Sequence, residues 1–100
     1  MRNKASRFRG VSAIEGPKPW WAQIGVTEDG KYRTIYITTF AREEDAARAY
    51  DRASIAYCGH AEAKTNFPVA EYRAEWAELE AQGVDGAVAR ERQRARALEA

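Results

Sequence analysis

The residue types best suited to metal binding or nucleophilic chemistry lie together in one short stretch, Cys58-Gly59-His60. Cys58 is the only cysteine of the chain and His60 the only histidine. A structural zinc site takes about four cysteine or histidine ligands, and a nucleophilic cysteine needs a base that a third group orients. Because neither set can be assembled, we predict no catalytic residue, no metal and no cofactor. The stretch is more simply interpreted as the end of a helix that carries a buried thiol.

A second group of residues combines aromatic rings with positive charge, which is typical of a surface that binds a partner. Trp21 and Tyr36 are the aromatic members, and Arg9 is an arginine of the same half of the chain. Arginine can read guanine through a bidentate contact, and both arginine and lysine can bind phosphate. These residue types point to a nucleic acid or to another partner. A solubilising role stays open for the hairpin cations Arg7, Lys18, Lys31 and Arg33.

The charge is divided along the chain in a way that the net value of +1 conceals. Residues 1–40 hold seven Lys/Arg against three Asp/Glu, a net charge of +4, whereas residues 41–82 hold five against nine, a net charge of −4. One part can therefore face phosphate while the other faces away. With 45% hydrophobic residues and no apolar run long enough for a membrane helix or a signal peptide, we expect one soluble, intracellular domain without a membrane partner or a small-molecule substrate.

Three segments of the first half are predicted as strands because they are rich in aromatic and β-branched residues. They are residues 8–12, 20–26 and 32–40, and the second connection contains Asp29-Gly30, a strong hairpin signal. Both connections are short enough for an antiparallel meander. Alternation along the strands predicts an apolar face with Ile24, Ile35 and Ile37. It predicts an opposite face, polar with aromatic rings, that carries Trp21, Gln23, Thr34, Tyr36 and Thr38.

Helical periodicity begins at Arg42 and continues to Cys58. Ala46, Ala49 and Ala53 form a stripe of small side chains, which predicts close packing of this helix on the isoleucine face of the sheet. A second helix is predicted over residues 69–82, anchored by Tyr72, Trp76 and Leu79. A third helix over residues 84–100 has few large apolar residues, and we expect it to be weakly anchored.

Several motifs, in order and spacing, resemble the AP2/ERF DNA-binding domain. They are Phe8-Arg9-Gly10-Val11, Trp20–Ile24, Tyr36-Ile37-Thr38-Thr39-Phe40, Glu44–Ala53 and Thr65-Asn66-Phe67-Pro68. The resemblance covers residues 8–68 and is closest to the plant class with two such domains in tandem. It implies an α+β fold, a three-stranded antiparallel sheet with one amphipathic helix on one face, over residues 1–68. Residues 69–100 would then form a C-terminal helical extension or linker.

The resemblance also implies a mechanism, in which the sheet enters the major groove and outward side chains contact bases and phosphates. Arg9 matches a DNA-contacting arginine, Tyr36 stands where an outward tryptophan is frequent, and the hydroxyls of Thr39 and Tyr50 match phosphate contacts. Ser12, Ala13, Gln23, Gly25 and Thr34 occupy positions where relatives often carry Arg, Lys or Glu, so several base readers are absent. The predicted DNA-binding residues are Arg7, Arg9, Ser12, Lys18, Trp21, Gln23, Arg33, Thr34, Tyr36, Thr39 and Tyr50.

The function predicted from these motifs is sequence-specific binding of double-stranded DNA by a transcription factor or part of one, without enzymatic activity. The expected location is the nucleus in a eukaryote and otherwise the cytoplasm. One alternative is a diverged domain that binds protein through Trp21 and Tyr36, and a second AP2 domain or another protein is a conceivable partner. The other alternative is the DNA-targeting domain of a homing endonuclease.

Overall fold

The computed structural model describes residues 4–99 and forms an α+β fold, an antiparallel meander followed by helices, as the sequence predicts. The elements are β1 (Lys4–Ala5), β2 (Val11–Ala13), β3 (Trp20–Glu28), β4 (Lys31–Phe40), α1 (Glu43–Cys58), a 3-10 helix (Val69–Glu75) and α2 (Trp76–Glu99). The predicted three-stranded sheet is β2, β3 and β4, and the short β1 adds an unpredicted strand beside β2. Residues 1–3 and 100, which the predictions include in the first domain and the last helix, lie outside the described residues. Among the helices of residues 4–99, none combines the length and the apolar run that crossing a bilayer requires.

Strand β2 starts later than the first predicted strand, at Val11 instead of Phe8. Gly10 has a φ of 77°, and the Val11 N–H donates to the Phe8 carbonyl at 3.4 Å, so a turn precedes β2. The Arg9 N–H donates to Asn66 Oδ1 at 2.7 Å, and Asn66 Nδ2 donates to the Arg9 carbonyl at 3.0 Å. The strand prediction was wrong at this end because a distant loop, and not β3, takes the backbone hydrogen bonds of Arg9.

The predicted hairpin between β3 and β4 turns at Asp29-Gly30. Both residues have positive φ values, 53° and 76°. This is the conformation of a type I′ turn, whose twist matches that of the flanking strands. The tight turn lets both strands continue to its edges, so β3 and β4 are longer than the predicted segments 20–26 and 32–40.

A β-bulge in β4 changes which of its residues share a face. Ala22 pairs with Thr38 and Gln23 pairs with Tyr36, so Ile37 is the extra residue. Residues that pair across strands lie on the same face of the sheet. Thr38 therefore lies on the side of the buried Ala22, and its predicted position beside Tyr36 was wrong because alternation assumes an uninterrupted strand.

Helix α1 packs its alanine stripe on the apolar face of the sheet, which confirms the predicted architecture. Ala46, Ala49 and Ala53 are fully buried. The isoleucines that belong to the same hydrophobic cluster are Ile24, Ile35 and Ile37. The helix begins at Glu43 and ends at Cys58, and Gly59 follows it with a φ of 82°, which favours glycine at this position.

The buried carboxylate of Asp51, to which the sequence analysis assigned no role, ties α1 to the segment that follows it. Asp51 accepts hydrogen bonds from the backbone N–H groups of Asn66 at 2.7 Å and Phe67 at 3.0 Å, and from the Tyr72 hydroxyl at 2.7 Å. Burial and the bond to Asp51 raise the pKa of Tyr72. These donors compensate for the removal of a charge from water and fix the loop that holds the turn before β2.

The chain beyond Gly83 is docked on the rest of the fold. Gly83, with a φ of 74°, interrupts α2 where the sequence predicts a helix end. The expectation that the following helix is weakly anchored was wrong, since small apolar residues and one carboxylate, Glu91, supply the buried contacts. The buried apolar residues of this segment are Val84, Ala87, Val88 and Ala95.

Candidate nucleic-acid interface

The side of the β2–β4 sheet that faces away from α1 is called the outer face here. Its members follow from the strand register, in which Ser12, Trp21 and Thr39 form one row and Gln23 and Tyr36 form the next. Cross-strand partners share a face, so the remaining rows follow from the same alternation. The outer face consists of Ser12, Trp21, Gln23, Gly25, Thr27, Tyr32, Thr34, Tyr36 and Thr39.

An aromatic pair lies at the centre of the outer face. The rings of Trp21 and Tyr36 meet edge to face, with centroids 4.8 Å apart and an interplanar angle of 68°. The Trp21 indole Nε1 donates to Gln23 Oε1 at 3.1 Å, which orients the Gln23 amide and leaves its nitrogen available as a donor. Tyr36 is 43% exposed, so this pair presents an accessible surface. A flat aromatic surface beside an oriented amide suits contact with base edges or with sugars.

Tyr32, a residue that the sequence analysis did not select, extends this surface. It pairs with Thr27 and is 71% exposed. A Cβ built on Gly25 would lie 2.1 Å from the Tyr32 hydroxyl oxygen, so the glycine leaves the space that the tyrosine occupies. The signal that could have identified Tyr32 is a glycine three residues before the end of β3, diagonal to an aromatic residue that follows the turn.

The outer face, as defined above, carries no charged side chain. Arg33 was predicted to bind DNA, but it pairs with Val26, a buried residue on the α1 side of the sheet. Its guanidinium lies 2.9 Å from Glu28 Oε1 and 3.4 Å from Asp85 Oδ1. The hydrogen bond that Arg33 donates to Glu28 raises the pKa of Arg33. Arg33 is therefore separated from the outer face. Like Ile35, it lies on the side of β4 that faces the helices.

Arg9 lies at the edge of the sheet and not on a strand. Its side chain lines a cavity of about 200 Å³, between the edge of β3 at Ile24 and helix α1 at Tyr50. Burial raises the pKa of Tyr50, and the neighbouring Arg9 guanidinium acts in the opposite direction. A Cβ on Gly10 would meet the Tyr50 ring at 2.1 Å, so Tyr50 packs under the turn, half-buried. Lys64, a cation that the sequence analysis did not select, lines the same cavity.

Arg7 and Lys18 lie near the start of α1. The Arg7 guanidinium is 3.9 Å from Glu43 Oε1 and 3.7 Å from Glu44 Oε2, yet its side chain is 70% exposed. Lys18, in the connection between β2 and β3, lines a shallow cavity of about 130 Å³ together with Thr39. Arg7 is therefore beside the first turn of α1, and Lys18 is beside Thr39 in the last row of the outer face.

The predicted DNA-binding residues thus fall into three locations. Six lie on the outer face: Ser12, Trp21, Gln23, Thr34, Tyr36 and Thr39. Four lie around its rim: Arg7, Arg9, Lys18 and Tyr50. Arg33 lies on the opposite side. Most of the residues selected from the sequence therefore share one surface and its surroundings, and Arg33 is separate from them.

The stretch Cys58-Gly59-His60 lies at the end of α1, as predicted, but its thiol is not buried. The Cys58 thiol is exposed rather than buried. His60 Nδ1 lies 2.6 Å from Glu80 Oε2, and the imidazole stacks on Trp76 with a centroid distance of 3.9 Å. Bonds from the backbone and the ring of His60 lower the pKa of Glu80. Within residues 4–99, no group of three or more Cys, His, Asp or Glu side chains is arranged to hold a metal ion.

Comparison with known proteins identifies the family to which the chain belongs. No protein-family model matches the chain. The chain is 42% identical over 67 residues, 67% of its length, to the ethylene-responsive transcription factor WRI1 of Arabidopsis thaliana. It is 46% identical over 68 residues, 68% of its length, to APETALA2-like protein 2 of Oryza sativa subsp. japonica. It is 39% identical over 95 residues, 95% of its length, to the AP2-like ethylene-responsive transcription factor AIL7 of Arabidopsis thaliana.

The chain belongs to the AP2/ERF family. The match to AIL7 extends well past residue 68, so similarity to this AP2/ERF protein includes sequence from the C-terminal helices. The chain spans 15% of the length of WRI1 and 18% of the length of AIL7. The comparison therefore concerns the AP2/ERF domain and a small part of each relative.

Proposed function

We propose that this AP2/ERF domain binds double-stranded DNA by laying its outer face in the major groove, as part of a sequence-specific transcription factor in the nucleus. The observation that carries the proposal is an exposed sheet face with Trp21, Gln23 and Tyr36 at its centre while α1 and α2 lie behind the sheet. The names of WRI1 and AIL7, both ethylene-responsive transcription factors, support a binding function rather than a catalytic one.

The dimensions of the sheet suit the proposed docking. Neighbouring strands are about 4.8 Å apart, so β2 to β4 span about 10 Å from backbone to backbone. The major groove of B-DNA is about 12 Å wide and accepts a β-ribbon. The outer face can therefore approach base edges, with helix α1 supporting the sheet from behind through the buried alanine stripe.

The chemistry of the interface divides into a neutral centre and a cationic rim. Hydroxyl and amide groups of Gln23 and Thr34 can exchange hydrogen bonds with base edges, and glutamine pairs well with adenine. Arg9 and Lys18 at the rim supply the positive charge that phosphate contacts need. In this proposal base reading falls to neutral side chains, and Arg9 contacts phosphate from the edge of the sheet. Fewer arginine contacts predict looser sequence discrimination than in a relative that has them.

A random pool of duplexes, selected by binding to the wild-type chain, identifies the preferred site, and titration at several salt concentrations measures the phosphate contacts. Arg9→Ala is expected to weaken all duplexes alike and to reduce the salt slope by about one, as for one lost phosphate contact. Arg33→Ala is the matched control, because it removes the same charge from the opposite side of the sheet. Equal losses in the two variants would show that binding does not depend on this rim.

The absence of charge on the outer face also favours a second candidate, a domain that binds protein through Trp21 and Tyr36. Exposed aromatic residues are common in protein interfaces, whose centres are depleted of charge. The same titration separates the two functions. If the wild-type chain selects no duplex even at low salt, the protein-binding function replaces DNA binding.

A further inference from the structure

The last part of α2, residues 84–99, makes a contact with the backbone beneath the outer face. Arg92 Nε donates to the Ile37 carbonyl at 2.8 Å, and a terminal nitrogen of the same guanidinium donates to the Tyr36 carbonyl. These two carbonyls are consecutive and belong to the bulge of β4. Since β4 is the last strand of the sheet, its outward carbonyls have no neighbouring strand to donate to them. Arg92 takes the place of that strand with a rigid pair of donors.

The bulge determines what the outer face presents. In a regular strand Tyr36, Thr38 and Phe40 would share one face. With Ile37 as the extra residue, Tyr36 and Thr39 both pair with outer-face residues of β3, and Phe40 turns into the core, where it is 2% exposed. The ring of Tyr36 meets the ring of Trp21 directly beside this bulge.

Residues on both sides of Arg92 fix its position. Val88 and Ala95, one turn before and one turn after it, are 2% and 5% exposed. Glu91 is 1% exposed, with Arg52 of α1 at 3.5 Å and Arg94 at 3.4 Å from its Oε1. Helix α1 and the sheet thus hold this part of α2 in a defined position, and the guanidinium of Arg92 is delivered to the bulge.

We propose that Arg92 is a positioning residue for the DNA-binding surface: it holds the β4 bulge and thereby sets the Tyr36 and Trp21 rings for contact with bases. This inference rests on the proposed function. It makes the C-terminal helix a part of the reading unit, although Arg92 itself lies on the α2 side of β4 and touches no base in this account. Loss of Arg92 then affects discrimination between sites rather than the general attraction to DNA.

The test compares Arg92→Ala with Arg96→Ala, which removes the same charge one turn further along the same helix from an exposed position. The probes are the duplex that the wild-type chain selects from a random pool and a scrambled duplex of equal composition. Arg92→Ala is expected to reduce the affinity ratio of selected to scrambled duplex by about tenfold, the size of one good base contact. Arg96→Ala is expected to weaken both duplexes equally and to leave the ratio unchanged. If the two variants give the same ratio, the proposal is overturned.

A second measurement on the free protein does not depend on DNA binding. Nuclear Overhauser contacts between the Trp21 and Tyr36 rings are recorded for wild type, Arg92→Ala and Arg92→Lys, each below its unfolding temperature. The contacts are expected to vanish in Arg92→Ala and to return in part in Arg92→Lys, which keeps one charged donor. Unchanged contacts in both variants would overturn the positioning role, even if the wild-type chain binds no duplex and the proposed function fails. If Arg92→Ala does not fold, Arg92→Lys is the test variant. The proposal then expects Arg92→Lys to lower the affinity ratio of selected to scrambled duplex and to weaken the Trp21–Tyr36 ring contacts, and it is overturned if both equal those of wild type.

Discussion

Truncation after Gln82 is expected to destabilise the fold strongly, although residues 84–100 contain few large apolar side chains. The truncation removes Val84 and Val88, which are 6% and 2% exposed. It also removes the Arg92 contact to the Ile37 carbonyl, which leaves the edge of β4 without this donor. The core of the sheet and α1 would then face water where α2 now covers it.

The magnitude follows from the buried valines. Burying a valine contributes about 1.5 to 3 kcal/mol, so the pair contributes about 3 to 6 kcal/mol before the conformational entropy of ordering the helix is subtracted. We expect a net loss of about 2 kcal/mol or more in the free energy of unfolding. For a chain of this size that loss lowers Tm by about 8 to 16 °C.

The assay is thermal and urea unfolding of residues 1–82, residues 1–96 and the full chain, followed by circular dichroism. The 1–96 variant is the control, since the removed side chains that the structure describes are exposed, with Leu98 58% exposed. It is expected to unfold like the full chain. If the 1–82 variant also unfolds within about 2 °C of the full chain, the docking of the last helix contributes nothing and the reasoning is refuted.

Two further predictions concern the packing behind the sheet. Ala49→Leu should cost about 1 to 3 kcal/mol in the free energy of unfolding, because its site on the alanine stripe is fully buried; a neutral result in urea unfolding would contradict the close contact of α1 and the sheet. Burial raises the pKa of Glu91 above the ordinary 4.5, so the folded state binds its proton more tightly than the unfolded chain. The stability of wild type relative to Glu91→Gln should then be greatest below pH 4.5 and fall as the pH rises through the raised pKa of Glu91. Urea unfolding of both proteins at several pH values measures this difference. A relative stability that rises with pH would show that the neighbouring arginines outweigh the effect of burial.

The meander and its supporting helix could be predicted because each signal is local. Period-two alternation gave the buried side of β3, the Asp29-Gly30 dipeptide gave the turn, and the spacing of Ala46, Ala49 and Ala53 gave the helix face that packs on it. These features depend on the backbone geometry of one element and its immediate neighbour.

The features that sequence reasoning missed depend on contacts between distant segments. The bulge at Ile37 is stabilised by Arg92, and the turn at Arg9 is held by Asn66, so no local pattern reveals either. The same cause explains the wrong expectation for the last helix, whose anchoring combines two buried valines with alanines and the buried Glu91. Charge alone also did not reveal the location of Arg33, which is paired with Glu28 on the side of the sheet opposite the outer face.

The central claim, that the outer face is the DNA-binding surface, is tested most directly by placing one negative charge on it. Thr34 is exposed on the outer face, and Gln93 is exposed on α2. Thr34→Glu and Gln93→Glu change the net charge equally, so general repulsion from DNA is the same in both variants. Titration of the selected duplex at low salt should show Thr34→Glu weakened by about tenfold or more and Gln93→Glu close to wild type. Equal affinities for the two variants would contradict DNA binding through the outer face.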